Sequence, residues 1–270
     1  MAEDVTALVK SKFGAAAADY ATSSVHAQGE SLARIVELTA PQKTWEALDV
    51  ATGAGHTAAI FAPHVASMIA SDITDEMLME AAKLANSRRI ANMLTETAAA
   101  DALPFPDESL DLVCCRLAAH HFPDLEAFVC EAHRVLKKGG RFAFVDNVAP
   151  DRDRLPGATD AEIATTIADY NDFEKLRDPS HGFAPPPQVW LDLLTNNGFK
   201  IVAHEQIEKE LDFASWVARM RCTPDVTAEL ERILAVGPAS LRTFLKPRYD
   251  ESRNLHFTLQ EILLVADKAD

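Results

Sequence analysis

Hydrophobic and polar positions along this chain switch between two periods. Up to about Leu38, Ala, Leu, Val and Glu recur at helical spacing, with a break near Thr22-Ser23-Ser24. Beyond Pro41, short apolar runs bounded by turn signals predict strands at Glu46–Val50, Ser67–Ser71, Thr95–Ala100, Leu110–Cys115 and Arg141–Val148. Helical patterns lie between them. One helix follows Gly55 and ends near Pro63, and a second follows Thr74 and reaches about Arg89. Thr74 is positioned to cap that second helix, with Asp75 and Glu76 in its first turn. A third spans Leu125–Leu136 and closes on Lys137-Lys138-Gly139-Gly140. Strand-helix alternation with short connections means a parallel sheet with right-handed crossovers. The pattern then changes. Residues 150–198 read largely as helix, with Pro185-Pro186-Pro187 before a last helix that Gly198 ends. A strand at Phe199–His204, helices to about Lys246 and a final strand at Leu259–Ala266 complete the chain, with no internal repeat.

The first predicted strand runs into a glycine turn, Leu48-Asp49-Val50-Ala51-Thr52-Gly53-Ala54-Gly55-His56-Thr57. Glycines there let backbone come close to a bound group, since neither carries a Cβ. Asp72 closes the second strand-like run, Met68-Ile69-Ala70-Ser71-Asp72. Strand, glycine turn, helix, strand and terminal acid form half of a nucleoside-binding site.

Composition narrows the partners. The chain has 270 residues, a length that favours one α/β domain with helical embellishment. Its 26 basic and 41 acidic residues give a formal net charge of -15, which argues against nucleic acid and anionic membrane. Cys114, Cys115, Cys130 and Cys222 show no CxxC spacing and read as buried reduced thiols. The acidic start, Met1-Ala2-Glu3-Asp4, lacks a following apolar block, and no segment has transmembrane length. The expected location is cytoplasmic, without stable membrane association.

Several further segments add a resemblance. They are Asp72-Ile73-Thr74-Asp75-Glu76-Met77-Leu78, Asp101-Ala102-Leu103-Pro104-Phe105-Pro106-Asp107, Leu110-Asp111-Leu112-Val113 and Arg134-Val135-Leu136-Lys137-Lys138-Gly139-Gly140-Arg141. With the glycine loop, their order and spacing across about 40–150 resemble class I S-adenosylmethionine-dependent methyltransferases. The likeness is to the type-11 group that includes the ubiquinone/menaquinone C-methyltransferases. It implies an α/β, Rossmann-like, seven-stranded mostly parallel sheet with its last strand antiparallel, helices on both faces and helical insertions forming a lid. It divides the chain into an N-terminal helical lid (1–40), a cofactor-binding core (41–150) and helical insertions with the last two strands of the same domain (151–270). It names S-adenosylmethionine as cofactor. One departure stands out: Ala51 occupies the first position of a loop that commonly carries three alternating glycines. Alanine is tolerated there where φ is negative.

The residues assort into roles within that expectation. Ala51, Thr52, Gly53 and Gly55 form the cofactor loop, with Gly53 and Gly55 amides near the amino-acid end and ribose. Asp49 accepts from the cofactor ammonium, or else caps the loop. Asp72 takes both ribose hydroxyls, since a carboxylate accepts two bonds. Ile73 and Met77 flank the adenine, Asp101 accepts from its amino group, and the Ala102 amide donates to the ring. Arg116 contacts the cofactor carboxylate or shapes the floor, or else forms a surface ion pair. The segment Phe13-Gly14 to Tyr20, Ser24 and His26 resembles a lid, with Tyr20 closing over the methionine moiety or simply packing.

In-line transfer of a methyl group requires chiefly that donor and nucleophile be held close and dry, with a base only where the nucleophile keeps its proton. Arg116-Leu117-Ala118-Ala119-His120-His121-Phe122 follows strand four, where ligands bind in open α/β sheets. His120 and His121 are the catalytic candidates, one lining the acceptor site and the other packing. Adjacent histidines rarely share an ion, so no metal is expected. Asn147, Arg177 and His181 join His120 as acceptor contacts, while Asp146 reads as structural. Leu176-Arg177-Asp178-Pro179-Ser180-His181 reads equally as a helix end with a proline turn. Helices around Phe213, Trp216, Met220 and Leu234 present a lid, a homodimer surface or plain core. Gly53, Gly55 and Ala58 also fit the dinucleotide fingerprint, making an NAD(P)-dependent oxidoreductase the rival. Asp49 ahead of the loop and the absence of any Tyr-x-x-x-Lys count against it. A noncatalytic S-adenosylmethionine-binding protein is the third reading. The favoured function is methyl transfer to a small-molecule acceptor.

Overall fold

The structure, a computed structural model, describes residues 7, 8, 10, 12–14, 17 and 29–269. Its frame is a single sheet with strand order β3-β2-β1-β4-β5-β8-β6, to which a short β7 adds by pairing with β8. The strands are β1 (Glu46–Val50), β2 (Ser67–Asp72), β3 (Met93–Thr97), β4 (Leu110–Arg116), β5 (Leu136–Asn147), β6 (Phe199–Asp212), β7 (Arg248–Tyr249) and β8 (Leu255–Lys268). β1 to β5 pair in parallel, and β8 runs antiparallel between β5 and β6.

Side-chain alternation divides the core into two layers. Leu48, Val50, Val113, Phe142, Phe144 and Ile262 face helices Leu125–Val135 and Pro187–Asn196. Ala47, Met68, Leu112, Val145 and Leu263 face the other way, against helices Glu30–Thr39, His56–Phe61 and Asp75–Ser87. Covered on both faces, β4 and β8 are apolar almost throughout. A third cluster joins helix Asp160–Arg177 to helices Phe213–Arg219, Pro224–Val236 and Ala239–Leu245 over the far end of β8. Phe213, Trp216 and Leu234 are buried in it, so these three side chains pack as core, and Met220 is half-buried.

Three boundaries and one cap differ from expectation. β3 ends at Thr97, which leaves Asp101 in a loop beyond the strand. Lys137–Gly140 are not the last turn of a helix: that helix stops at Val135, and the four residues bulge out at the start of β5. Pairing jumps there from Leu110–Leu136 to Leu112–Arg141, and a Cβ on Gly140 would lie 2.7 Å from the Lys137 carbonyl. β6 continues eight residues past the expected His204, because its alternation is built partly from charged residues such as Lys209, which pairs with buried Glu261. Thr74 occupies the N-cap position without a side-chain capping bond. Among the cysteines, Cys114 and Cys115 are buried, Cys222 is half-buried and Cys130 is exposed; all four are unpaired.

Candidate active site

The carboxyl ends of β1, β2 and β4 border a cavity of about 160 Å³. Strand parity sends Asp49 to the same face as Ala47, beneath helix His56–Phe61. Its Oδ2 accepts from Thr52 Oγ1 at 2.5 Å and from the Ala58 amide at 3.0 Å, and Cys114 Sγ lies 3.6 Å from Oδ1. Burial pushes its carboxyl up to about 7, against the Thr52, Cys114 and Ala58 bonds and the Arg116 charge. Asp49 therefore stands behind the loop, where it organises Thr52 and the helix start.

The loop itself is wound through left-handed backbone at Ala51 (φ 53), Gly53 (φ 54) and Gly55 (φ 86). The negative φ expected at Ala51 is not what the loop adopts, and an L-residue there costs about 1–2 kcal/mol. Ala51, Thr52 and Gly53 line the cavity, and a Cβ on Gly53 would meet nothing within 4 Å. Gly55 does not line it; a Cβ there would sit 2.8 Å from Ala81 Cβ, so this glycine lets helix Asp75–Ser87 approach. The two amides are already engaged, Gly53 N on Asp72 Oδ2 at 3.0 Å and Gly55 N on Thr52 O at 3.0 Å.

Asp72 forms the opposite wall. Its Oδ1 accepts from the Thr74 amide at 2.9 Å, and burial raises its pKa. Each oxygen retains accepting capacity. Ile73, Met77 and Asp101 line the same cavity. Ala102 does not, and its amide donates to Ala99 O at 3.2 Å, so the donor expected for the ring is occupied. Arg116 reaches the cavity but is only 8% exposed, with Nε and Nη2 3.4 and 3.3 Å from Ser31 Oγ. Burial lowers its pKa, opposed by Glu261, Asp49 and Asp146. It is thus no surface ion pair. Phe13 closes the far side, its ring edge-on to His121 at 5.0 Å. Tyr20, Ser24 and His26 lie outside the described residues.

The two histidines sit on a single 3₁₀ turn, Ala119–His121, and have different partners. His120 Nδ1 donates to Asp146 Oδ1 at 2.6 Å, and the His120 amide donates to Asp146 Oδ2 at 2.9 Å. Burial works against the charged ring, but the Asp146 charge and bond prevail, and the His120 pKa is raised. His121 lines the cavity and donates from Nδ1 to Ser180 O at 3.0 Å. Burial and the neighbouring His120 charge hold it down at about 4.

Behind them, His120 O accepts from the Gly182 and Phe183 amides and so docks residues 180–184. His181, its ring 5.5 Å from His120, donates from Nε2 to Asn171 Oδ1 at 2.9 Å and is driven down to about 2 by burial and the two histidine charges. Arg177 lies 4.5 Å over the Trp216 ring, with Nη2 3.4 Å from Glu174 Oε2. Asn147 is half-buried with an unpartnered Oδ1. Asn147, Arg177, His181 and His120 are not on the cavity wall itself. His120 and His181 form a polar layer behind it.

A glycine loop, an acid at the end of β2 and a ligand-sized opening at the carboxyl edge are the geometry of a nucleoside site in a sheet with one antiparallel strand near its end. The methyltransferase domain profile matches residues 48–144. The methyltransferase YcgJ of Bacillus subtilis (strain 168) is 34% identical over 203 residues, covering 74% of this chain and 75% of the relative. The ubiquinone/menaquinone biosynthesis C-methyltransferase UbiE of Geobacter sp. (strain M21) is 29% identical over 171 residues, 58% of this chain and 71% of that one. A Bacillus halodurans C-125 crystal structure of a candidate methyltransferase superposes with a TM-score of 0.80 at 35% identity, over 90% of this chain and all of the other. The chain belongs to the class I S-adenosylmethionine-dependent methyltransferases. Its cofactor is S-adenosylmethionine, and the dinucleotide reading of Gly53, Gly55 and Ala58 falls away. The methyltransferase cavity suits that group: Asp72 offers two oxygens, Gly53 leaves open space, and Ile73 and Met77 supply an apolar wall. Among the described residues, no helix is long and apolar enough to cross a membrane.

Sequence reasoning gave no site role to His56 and Thr57, at the end of the glycine turn, or to Ala98–Ala100, all of which line the cavity.

Proposed function

We propose that this methyltransferase acts on a small-molecule acceptor, with His120 as the base that takes the acceptor's proton. The observation that carries this reading is the His120–Asp146 pair, buried at the sheet edge directly behind the cavity-lining His121. A base tuned by a carboxylate and shielded from water serves an acceptor that keeps its proton until attack. The net charge of -15 further favours a small molecule over nucleic acid.

When bound, S-adenosylmethionine supplies an electrophilic methyl group on a sulfonium. The chain's residues divide the rest. Asp72 receives the ribose hydroxyls, Ile73 and Met77 flank the adenine, and Asp101 accepts from its amino group. Ala51, Thr52 and Gly53 wall the methionine end, where Arg116 attracts the carboxylate. Asp49 favours the ammonium from beneath the loop by charge. Phe13, on the far side of the cavity, excludes water. Asp146 fixes the His120 tautomer, so that Nε2 remains the proton acceptor.

Calorimetry with S-adenosylhomocysteine and NADH tests the cofactor half. The first should bind at micromolar concentration, the second not at all, and Asp72→Ala should weaken binding at least tenfold. Transfer of labelled methyl to a metabolite panel tests the acceptor half. Unchanged affinity in Asp72→Ala refutes the ribose assignment, and transfer to polynucleotide alone refutes the small-molecule reading.

A further inference from the structure

The segment that follows helix Asp160–Arg177 grips the histidine turn through residues other than Arg177 and His181. His120 O accepts from the Gly182 and Phe183 amides at 2.9 and 3.0 Å, and a Cβ on Gly182 would lie 3.0 Å from that oxygen, so the two backbones meet closely. Around His121 the contacts select a proton position. Its Nδ1 stands 3.0 Å from Ser180 O, which can only accept, and 3.4 Å from Ser180 Oγ, which is able to donate or accept. Asp178 decides between the two. Its Oδ1 accepts from the Ser180 hydroxyl at 2.5 Å and from the Ser180 amide at 2.9 Å, and both residues are buried. The hydroxyl proton is thereby turned away from the imidazole, and Nδ1 needs a proton of its own to meet Ser180 O. At the other nitrogen, Nε2 lies 3.9 Å from Asp178 Oδ2, beyond hydrogen-bond distance. The Asp178 charge favours a second proton on the ring, but burial and the His120 charge outweigh it. His121 therefore keeps one proton, on Nδ1. It is the histidine of the pair that lines the cavity, edge-on to Phe13.

We propose that Asp178 is a positioning residue of this methyltransferase: by engaging the Ser180 hydroxyl it fixes His121 as the Nδ1–H tautomer and holds that neutral ring in one orientation on the cavity wall beside the sulfonium. A cationic ring there would repel the cofactor's charge in a site of low dielectric. A ring that exchanged tautomers would lose its bond to Ser180 O in one of them. The tautomer follows from the hydrogen bonds alone, whereas the sulfonium's place beside it rests on the reading above and deepens that reading.

The test uses full-length protein labelled with nitrogen-15 in histidine, the His121 signals being those absent from His121→Gln. At pH 7, long-range proton–nitrogen spectra should show a protonated Nδ1 and a bare Nε2 on His121, with and without saturating S-adenosylhomocysteine. Asp178→Ala frees the Ser180 hydroxyl to donate to Nδ1, so the Nε2–H form should appear and the two nitrogen shifts should converge. Asp178→Asn, whose amide oxygen still accepts the hydroxyl proton, should keep the wild-type pattern. Adding Ser180→Ala to Asp178→Ala removes the competing donor and should restore Nδ1–H. Asp178→Val, closer in bulk, takes the place of Asp178→Ala if the latter does not fold. A wild-type His121 that is doubly protonated or carries its proton on Nε2 overturns the proposal. So does an unchanged tautomer in Asp178→Ala, or a double variant that fails to restore it. If wild-type protein fails to bind S-adenosylhomocysteine, the sulfonium's place falls and the tautomer assignment does not.

Discussion

Two adjacent histidines differ here because one side-chain partner differs. His120 has the Asp146 carboxylate on Nδ1, and its pKa is raised; His121 has a carbonyl there, and burial holds it near 4. A base works in its neutral form, so the acid limb of kcat/KM should have its midpoint above 6.5. Asp146→Asn removes the interaction that raises the pKa and leaves the burial that lowers it. The limb should then move to lower pH while the rate falls about 10²-fold or more. A limb that stays in place in Asp146→Asn would separate this pair from the chemistry. Asp49 makes a second residue-scale case. Its folded pKa of about 7 lies above the unfolded value, so near neutrality it is partly protonated. A cationic ligand group nearby favours the carboxylate, so binding must release protons there. Calorimetry of S-adenosylhomocysteine, whose ammonium supplies that charge, should show at pH 7 a heat that varies with the buffer's ionisation enthalpy. The variation should vanish at pH 9 and in Asp49→Asn. Buffer-independent heats at pH 7 would place the ammonium away from Asp49.

Elements were legible in the sequence where one physical signal dominated. Strands buried on both faces read as continuous apolar runs, and parallel β1, β2 and β4 and the centre of antiparallel β8 emerged from that alone. β6 was cut short because Glu205, Glu208, Lys209 and Glu210 read as the start of a helix, yet its edge position allows charge on the open face and Glu261 neutralises Lys209 on the covered one. Lys137-Lys138-Gly139-Gly140 has the composition of a helix stop and serves as a bulge, because tertiary pairing with β4 overrides local preference. The glycine loop was read for ligand approach at both glycines, but Gly55 answers to helix packing. That distinction yields a prediction at this scale. Gly55→Ala adds a Cβ 2.8 Å from Ala81 and forces an L-residue to φ 86, at a combined cost on the order of 2–4 kcal/mol. Gly53→Ala, with open space, should lose only the backbone part, about 1 kcal/mol, and show its larger effect in cofactor affinity. Urea titrations give both values; equal destabilisation of the two variants would contradict the packing argument. Helix Asp160–Arg177 offers a parallel test. Both arms of its Thr159–Glu162 capping box are formed, so Thr159→Ala should cost about 1 kcal/mol and leave S-adenosylhomocysteine affinity unchanged.

On the scale of the whole molecule, the cavity sits where three buried acids meet one sheet edge. Asp49, Asp72 and Asp146 end or nearly end β1, β2 and β5, each beneath or beside a loop that its own oxygens hold in shape. Asp146 is paired with His120, Asp49 is partly neutral near pH 7, and Arg116 lies in the field of Asp49 and Asp146. A ligand that brings a positive centre to this edge favours the carboxylate form that burial disfavours at Asp49 and Asp72. Linkage sets the size of the effect. At about 100 times its dissociation constant, any ligand that binds only the folded state adds about 2.7 kcal/mol. For a chain of this size that corresponds to a rise in melting temperature of about 5–10 °C. S-Adenosylhomocysteine and S-adenosylmethionine, each compared at the same multiple of its own dissociation constant, should produce equal shifts. Compared at equal free concentration, the sulfonium should give the larger one, because its dissociation constant is lowered by the acidic edge. NADH, with its anionic pyrophosphate, should produce no shift at any concentration. A larger shift from the uncharged thioether at equal concentration would mean that the edge acids are neutralised within the protein, and that the nucleoside alone drives binding.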